Sequence, residues 1–181
     1  MKSQPATNYV IRPGAPDDAQ GIAAVHVSTW RHAYKDIVPA QHLANLDEIA
    51  RAEKWKKMLM ARSPHVLVAL VGEAIVGWIA FGSSRDEELD ASCAEVQAIY
   101  MASPFWGQGI GTALMNSACE RLVEEGYAAV VLWVLEDNLA ARSFYHRRGF
   151  TSDGAAKVVD IGGASLTEVR LKLEIASRSA T

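Results

Sequence analysis

The chain is poor in cysteine, in long apolar runs and in excess charge of either sign. Its two cysteines, Cys93 and Cys119, give neither a disulfide framework nor a metal-ligand spacing. They are expected as free thiols in a reducing, cytoplasmic setting, with no metal bound. No apolar stretch approaches the length needed to cross a bilayer. The opening Met1-Lys2-Ser3-Gln4-Pro5-Ala6-Thr7-Asn8 lacks the apolar core of a secretory signal, so no membrane partner is expected. The net charge of −3 speaks against general nucleic-acid binding, which shows as a basic face. With 181 residues, 50% of them hydrophobic, the chain suits one domain with a sizeable core. That domain is placed at 9–175, between polar tails at 1–8 and 176–181. No internal repeat or low-complexity segment interrupts it.

Proline and glycine punctuate the rest. Tyr9 to Arg12 reads as a strand broken by Pro13-Gly14-Ala15-Pro16. A helix then runs to about Tyr34, with Pro16 at its first position and Asp17 and Asp18 in its first turn. Further helical stretches begin at Pro39 and cover Asp47 to Met60. His65–Val71 and Ala74–Phe81 form a hairpin about Gly72-Glu73. A charged loop, Gly82 to Ala91, leads to a strand at Cys93–Met101. Ala113 to Glu125 is helical, and Ile110, Leu114, Ala118 and Leu122 share one face. Ala128–Leu135 is almost wholly apolar, as a strand covered on both faces must be. A short helix at 138–148 and strands near Phe150–Asp160 and Ser165–Glu174 complete the chain. The crossover between strands 93–101 and 128–135 is expected to set their ends side by side at the intervening turn.

That turn, Trp106-Gly107-Gln108-Gly109-Ile110-Gly111-Thr112, carries the strongest chemical signal. Three alternating glycines stand where a strand becomes a helix. Without a Cβ the backbone can take positive φ and approach a ligand closely. The first amides of the helix have no intrahelical partner, and the helix dipole is positive there. The combination suits a phosphate. The Gly-Lys-[Ser/Thr] ending of a Walker loop is missing, and G-x-G-x-G is not the dinucleotide spacing. Taken alone, the turn is equally a tight connection without a ligand.

About thirty residues on comes Leu132-Trp133-Val134-Leu135-Glu136-Asp137-Asn138-Leu139-Ala140-Ala141-Arg142-Ser143-Phe144-Tyr145-His146-Arg147-Arg148-Gly149-Phe150. It reads as a buried strand followed by a short helix, capped by Asp137 at one end and by Gly149 at the other. The glycine turn and this segment, matched at Asn138, Ala141, Phe144, Tyr145, Gly149 and Phe150, resemble the GNAT acyltransferases, which move an acyl group from coenzyme A to an amine. The resemblance covers roughly Tyr9 to Glu174. It implies an α/β (α+β) fold with a mixed, mostly antiparallel sheet of about seven strands flanked by helices. Trp106 stands where the family pattern has Arg or Gln, so a polar side chain that would help hold phosphate is absent and a lower affinity is expected.

The resemblance also implies a reaction and a site. Acetyl-CoA would donate its acetyl group directly to a primary amine, on a small molecule or a protein, with no metal and no covalent enzyme intermediate. The coenzyme would lie along Ile99, Tyr100 and Met101, on the turn from Trp106 and Gly107 through Gln108, Gly109, Ile110 and Gly111 to Thr112, and against Asn138, Ser143, Tyr145 and Arg148. Tyr145 would give the leaving sulfur a proton, although an aromatic there could simply anchor the helix. Glu95 would take the amine proton, with His26 as the second choice; each has an equally plain structural reading. His26, Trp30 and Tyr34 recur at i, i+4 and i+8 on one helix face. Trp30 and Tyr34 would line the acceptor groove if that stripe is not core. Dimers are frequent in similar proteins, and the last strands could pair between chains. A non-catalytic acyl-CoA-binding module of the same fold would keep the glycine turn and need neither Tyr145 nor Glu95.

Overall fold

In the computed structural model, which describes residues 7–175, proline and glycine fix the joints as read. The tails placed at 1–8 and 176–181 lie outside the described residues except for Thr7 and Asn8. Strand β1 (Val10–Pro13) leads through a 3-10 turn (Pro16–Asp18) into helix α1 (Ala19–Ala33). Buried Asp18 secures this entry, accepting from the Ala15 amide at 2.7 Å and from the Arg12 guanidinium at 2.6 and 2.8 Å. Helices α2 (Ala40–Ala44) and α3 (Glu48–Ala61) follow. The Asp47 carboxylate caps α3 by accepting from the amides of Ile49 and Ala50, a bond worth about 1 kcal/mol.

The hairpin of β2 (His65–Val71) and β3 (Ala74–Ser83) pairs on to β4 (Cys93–Met101). Helix α4 (Ile110–Glu124) crosses over to β5 (Ala129–Leu135), and α5 (Leu139–His146) joins β5 to the hairpin β6 (Thr151–Ile161) and β7 (Ala164–Glu174). The sheet order is β1-β2-β3-β4-β5-β7-β6. Only β4 and β5 run parallel; the other neighbours are antiparallel. Seven mixed, mostly antiparallel strands flanked by helices are the architecture the sequence led us to expect.

Each sheet face has its own apolar layer. The stripe Ile110, Leu114, Ala118 and Leu122 is wholly buried against Ile79, Phe81, Val96, Val130 and Leu132. On the opposite face Ile22 and Ala23 of α1 and Trp55 and Leu59 of α3 cover Val66, Val68, Trp78 and Ala80. With about 25 cal/mol per Å² of apolar surface removed from water, these layers supply most of the drive to fold.

Two expectations need correction. Asn138, not Asp137, caps α5: its side-chain oxygen accepts from the Ala141 amide at 3.1 Å. More consequentially, β4 and β5 do not stay side by side. They pair only over Cys93–Glu95 and Ala129–Val131. Beyond that point a bulge shifts the β3–β4 register between Ala80 and Phe81, opposite Gln97. The bulge turns β4, while β5 continues in register with β7 to its last residue, Leu135. The two strands therefore splay as they approach the glycine turn.

Candidate active site

The splay opens a cleft of about 580 Å³ between the two strand ends, lined by Val96–Met101 of β4 and Leu132–Leu135 of β5. It leaves β4 with a backbone edge that β5 does not pair, an edge to which an extended amide-bearing chain can add. The bulge also sorts the side chains. Ile99 and Met101 pack on the α4 layer, whereas Tyr100 packs on the α1 layer with His26 and Trp78. Tyr100 thus bounds the cleft from the face opposite to Ile99 and Met101.

The glycine turn closes one end. Gly107 and Gly109 have φ of 75° and 83°, a region that side chains with a Cβ rarely adopt. A Cβ at either would meet no atom within 4 Å, so it is the backbone conformation that demands glycine there. Gly109 caps α4 without any side-chain bond to the first amides of the helix. Gly107, Gly109, Gly111 and Thr112 line the cleft. Ile110 does not offer its side chain, which is fully buried in the core. Gln108 lies off the cleft wall, its amide donating to the Pro104 carbonyl at 2.9 Å. Trp106 lines the cleft, partly exposed, with its ring edge-on to His32 of α1.

Helix α5 supplies the facing wall. Asn138, Ala141, Phe144, Tyr145, Arg147 and Arg148 line it, whereas Ser143 is exposed and points elsewhere. The Arg148 guanidinium lies 3.5 Å from the centre of the Phe144 ring, donates to the Phe144 carbonyl at 2.6 Å and reaches the Thr112 hydroxyl. That last bond sets a cation against the first turn of α4. Burial and the neighbouring Arg147 charge lower its affinity for a proton, and no carboxylate among the described residues forms an ion pair with either arginine. A cation without an ion-pair partner beside a helix N-terminus is the chemistry that suits an anion, and Arg147 lines the same cleft. Arg147 is a residue the sequence reading missed.

Tyr145 is buried between Phe144 and Phe150, with ring centroids 5.3 and 5.9 Å away. Burial raises its titration, with a contribution from Tyr34 that Arg148 partly offsets. The phenol therefore keeps its proton at neutral pH.

The structure does not bring the two candidate bases to the cleft. Glu95 is 2% exposed, and its carboxylate accepts from the Arg85 amide at 3.0 Å and from the Arg85 guanidinium at 3.0 and 2.5 Å. Burial pushes it upward, but the Arg85 bonds and charge outweigh burial and hold it below the usual carboxylate range. An anion this well satisfied is a poor proton acceptor. His26 sits 5.0 to 6.4 Å from the rings of Tyr100, Trp78, Trp30 and Trp55. Neither of its nitrogens has a hydrogen-bond partner. Burial, aided by the charge of Arg51, lowers it to about 3, so at neutral pH it is uncharged and weakly basic.

Trp30 and Tyr34 do line the cleft, their rings tilted at 56° with centroids 4.9 Å apart. The lining also includes Thr29, Gln97, Trp133 and Glu168, none of which periodicity singled out. Glu168 reaches the cleft from β7, which enters the sheet between β5 and β6, an order that hairpin spacing alone does not reveal. Neither cysteine is activated: burial raises both, Cys119 to about 11. Among the described residues no group of three or more His, Cys, Asp or Glu could hold a metal ion, and no helix is long and apolar enough to cross a membrane.

A seven-stranded open sheet with a splayed parallel pair, a glycine turn at the splay and a cleft between the two strand ends defines an acyltransferase-type fold. The model of the acetyltransferase (GNAT) family matches residues 27–150, and the chain belongs to that family. Over 163 residues it is 30% identical to the N-acetyltransferase YuaI of Bacillus subtilis, covering 89% of this chain and 90% of that protein. It is 27% identical to an N-acetyltransferase of Mycobacterium tuberculosis over 82% of this chain and 83% of that protein. Among solved structures it resembles the PaiA N-acetyltransferase of Thermoplasma acidophilum, in complex with coenzyme A, with a TM-score of 0.71, 20% identity and coverage of 92% and 99% of the two chains. The yncA protein of Salmonella typhimurium, with its cofactor acetyl-CoA, gives 0.71 and 20% over 96% and 98%.

Proposed function

We propose that this protein transfers the acetyl group of acetyl-CoA directly to a primary amine within a ternary complex. The observation that carries the reading is Arg148, bonded to Thr112 in the first turn of α4, with Arg147 also on the cleft wall and neither in an ion pair among the described residues. Two structural neighbours that share this fold hold coenzyme A or acetyl-CoA, which supports the choice of donor.

Acetyl-CoA supplies an activated acetyl thioester. The amides from Gly109 to Thr112, with Arg147 and Arg148, would hold its phosphates. The open edge of β4 at Ile99 would receive an amide of its arm, since the Tyr100 backbone faces β3. Met101 is less suited, because its carbonyl already accepts from Thr29 at 3.1 Å and from Trp106 at 2.7 Å. The hydroxyl of Tyr145 holds a proton at the inner end of the cleft for a departing thiolate, whose thiol pKa is about 8.5. The amine must arrive neutral although its ordinary pKa is about 10.4. The cleft is partly open, so its proton leaves to solvent, and no side chain is assigned as base. Trp30, Tyr34 and Tyr100 would form the acceptor wall.

The same proposal places the protein in the cytoplasm, in keeping with its two free thiols, and admits a homodimer through the outer strand β6. Differential scanning with acetyl-CoA, NAD and ATP tests the donor. At 100 times its dissociation constant a ligand stabilises by about 2.7 kcal/mol, roughly 5–10 °C for a domain of this size. A rise with acetyl-CoA alone is expected; no rise in folded protein contradicts the assignment.

A further inference from the structure

Away from the glycine turn, charged side chains of β4, β6, β7 and the β3–β4 loop come together in ion pairs. Most of this charge is satisfied internally. Arg85 binds Glu95 at 2.5 Å, and Arg170 binds Asp86 at 2.5 Å and Asp153 at 2.7 Å. Glu168 differs. Among the described residues its one ion-pair partner is Lys157, in a contact of 3.4 Å from a side chain that is 45% exposed. The Lys157 ammonium also lies 4.0 Å from the centre of the Trp133 ring. Glu168 and Trp133 both line the cleft. A carboxylate and an indole face around one ammonium are the components of a cation seat, and here the half-exposed Lys157 fills it.

The position of the seat says which nitrogen it suits. Leu135 and Lys157 flank Glu168 in register. Leu135, paired with Glu168, packs with Trp30 and Tyr34, whereas Tyr145 packs in the α4 layer between Phe144 and Phe150. Glu168 and Tyr145 therefore belong to different parts of the cleft wall. The attacking nitrogen belongs beside Tyr145 and must be neutral. A carboxylate set apart from Tyr145 suits a different nitrogen, one that stays protonated.

We infer that Glu168 and Trp133 bind a second, cationic nitrogen of the acceptor, so that the preferred acceptor is a diamine or similar dicationic amine, and that Lys157 occupies this seat until the acceptor displaces it. This rests on the acetyltransferase reading, and it is tested by binding so that the two can fail separately.

Isothermal titration of butylamine and of diaminobutane into the protein saturated with coenzyme A is the experiment. The diamine is expected to bind about tenfold more tightly, about 1.4 kcal/mol. Glu168→Gln should bring the two amines to within about twofold of each other, and Lys157→Met, at an exposed site, should tighten the diamine by a few fold. Equal binding of the two amines by the unmodified protein overturns the inference. So does a preference that survives Glu168→Gln, or a diamine weakened by Lys157→Met. Should Glu168→Gln fail to fold, the Lys157→Met result decides alone. Diamine preference without any thiol release from acetyl-CoA would uphold the seat and overturn the catalytic reading.

Discussion

The indole Nε1–H of Trp106 donates to the carbonyl of Met101 at 2.7 Å. This bond ties the glycine turn back to the end of β4, and the same ring packs edge-on against His32 with centroids 5.0 Å apart. Trp106 is therefore a strut between the turn, β4 and α1. Under the proposed function, Arg148 and Arg147 would supply the charge that a polar side chain at this position would otherwise add.

Trp106→Phe keeps the ring and removes the donor. The Met101 carbonyl retains Thr29, so the expected loss is about 1 kcal/mol of stability and a few-fold weakening of acetyl-CoA. Chemical denaturation and coenzyme titration check both. Arg148→Ala should weaken the coenzyme more than Trp106→Phe does, because it removes charge from the anion site; the opposite order would place phosphate affinity in the turn alone.

Tyr145→Phe removes the proton at the inner end of the cleft and leaves the packing against Phe144 and Phe150. Turnover is expected to fall about a hundredfold with coenzyme affinity nearly unchanged. Steady-state kinetics beside a binding titration separate the two quantities. An unaltered kcat would leave Tyr145 as a helix anchor only.

His26 makes stability depend on pH. Its folded pKa, about 3, lies below its unfolded value near 6.5. Its contribution is complete above pH 6.5 and is lost as pH falls toward 3, at up to about 1.4 kcal/mol per pH unit. His26→Leu fills the same aromatic surroundings without two unpaired nitrogens. Urea midpoints at pH 7.5 and pH 5.5 should differ less in that variant than in the parent protein. An equal difference would show that His26 titrates alike in the folded and unfolded chains.

Glu95 titrates in a separate window. Because Arg85 lowers its folded pKa, its contribution is present above the unfolded value of about 4.3 and is lost below it as the pH falls through the folded pKa. Glu95→Gln should cost about 1–3 kcal/mol and leave the pH–rate profile in place. A profile displaced to higher pH would restore Glu95 as the base.

The elements and the residues that line the glycine end of the cleft were legible in the sequence because both are local. Glycines at 107 and 109 announce their backbone angles, and Asn138, Tyr145 and Arg148 fall on one short helix and its two ends. The splay was not legible, because it arises from a bulge at Gln97 in one strand and uninterrupted pairing with β7 in the next. Glu95 misled for a long-range reason too: the resemblance to the family implied a base on this strand, but Arg85, ten residues away on a loop, claims its carboxylate. Glu168 and Trp133 meet only because β7 lies between β5 and β6, a long-range order that no spacing encodes.

The most direct test of the account is amine-dependent release of thiol from acetyl-CoA, followed across a panel of monoamines and diamines. The account predicts release that requires both protein and amine, is greatest with diamines and collapses in Tyr145→Phe. Folded protein that binds acetyl-CoA yet releases no thiol above the uncatalysed rate with any amine would contradict it, and would leave an acyl-CoA-binding module in place of an enzyme.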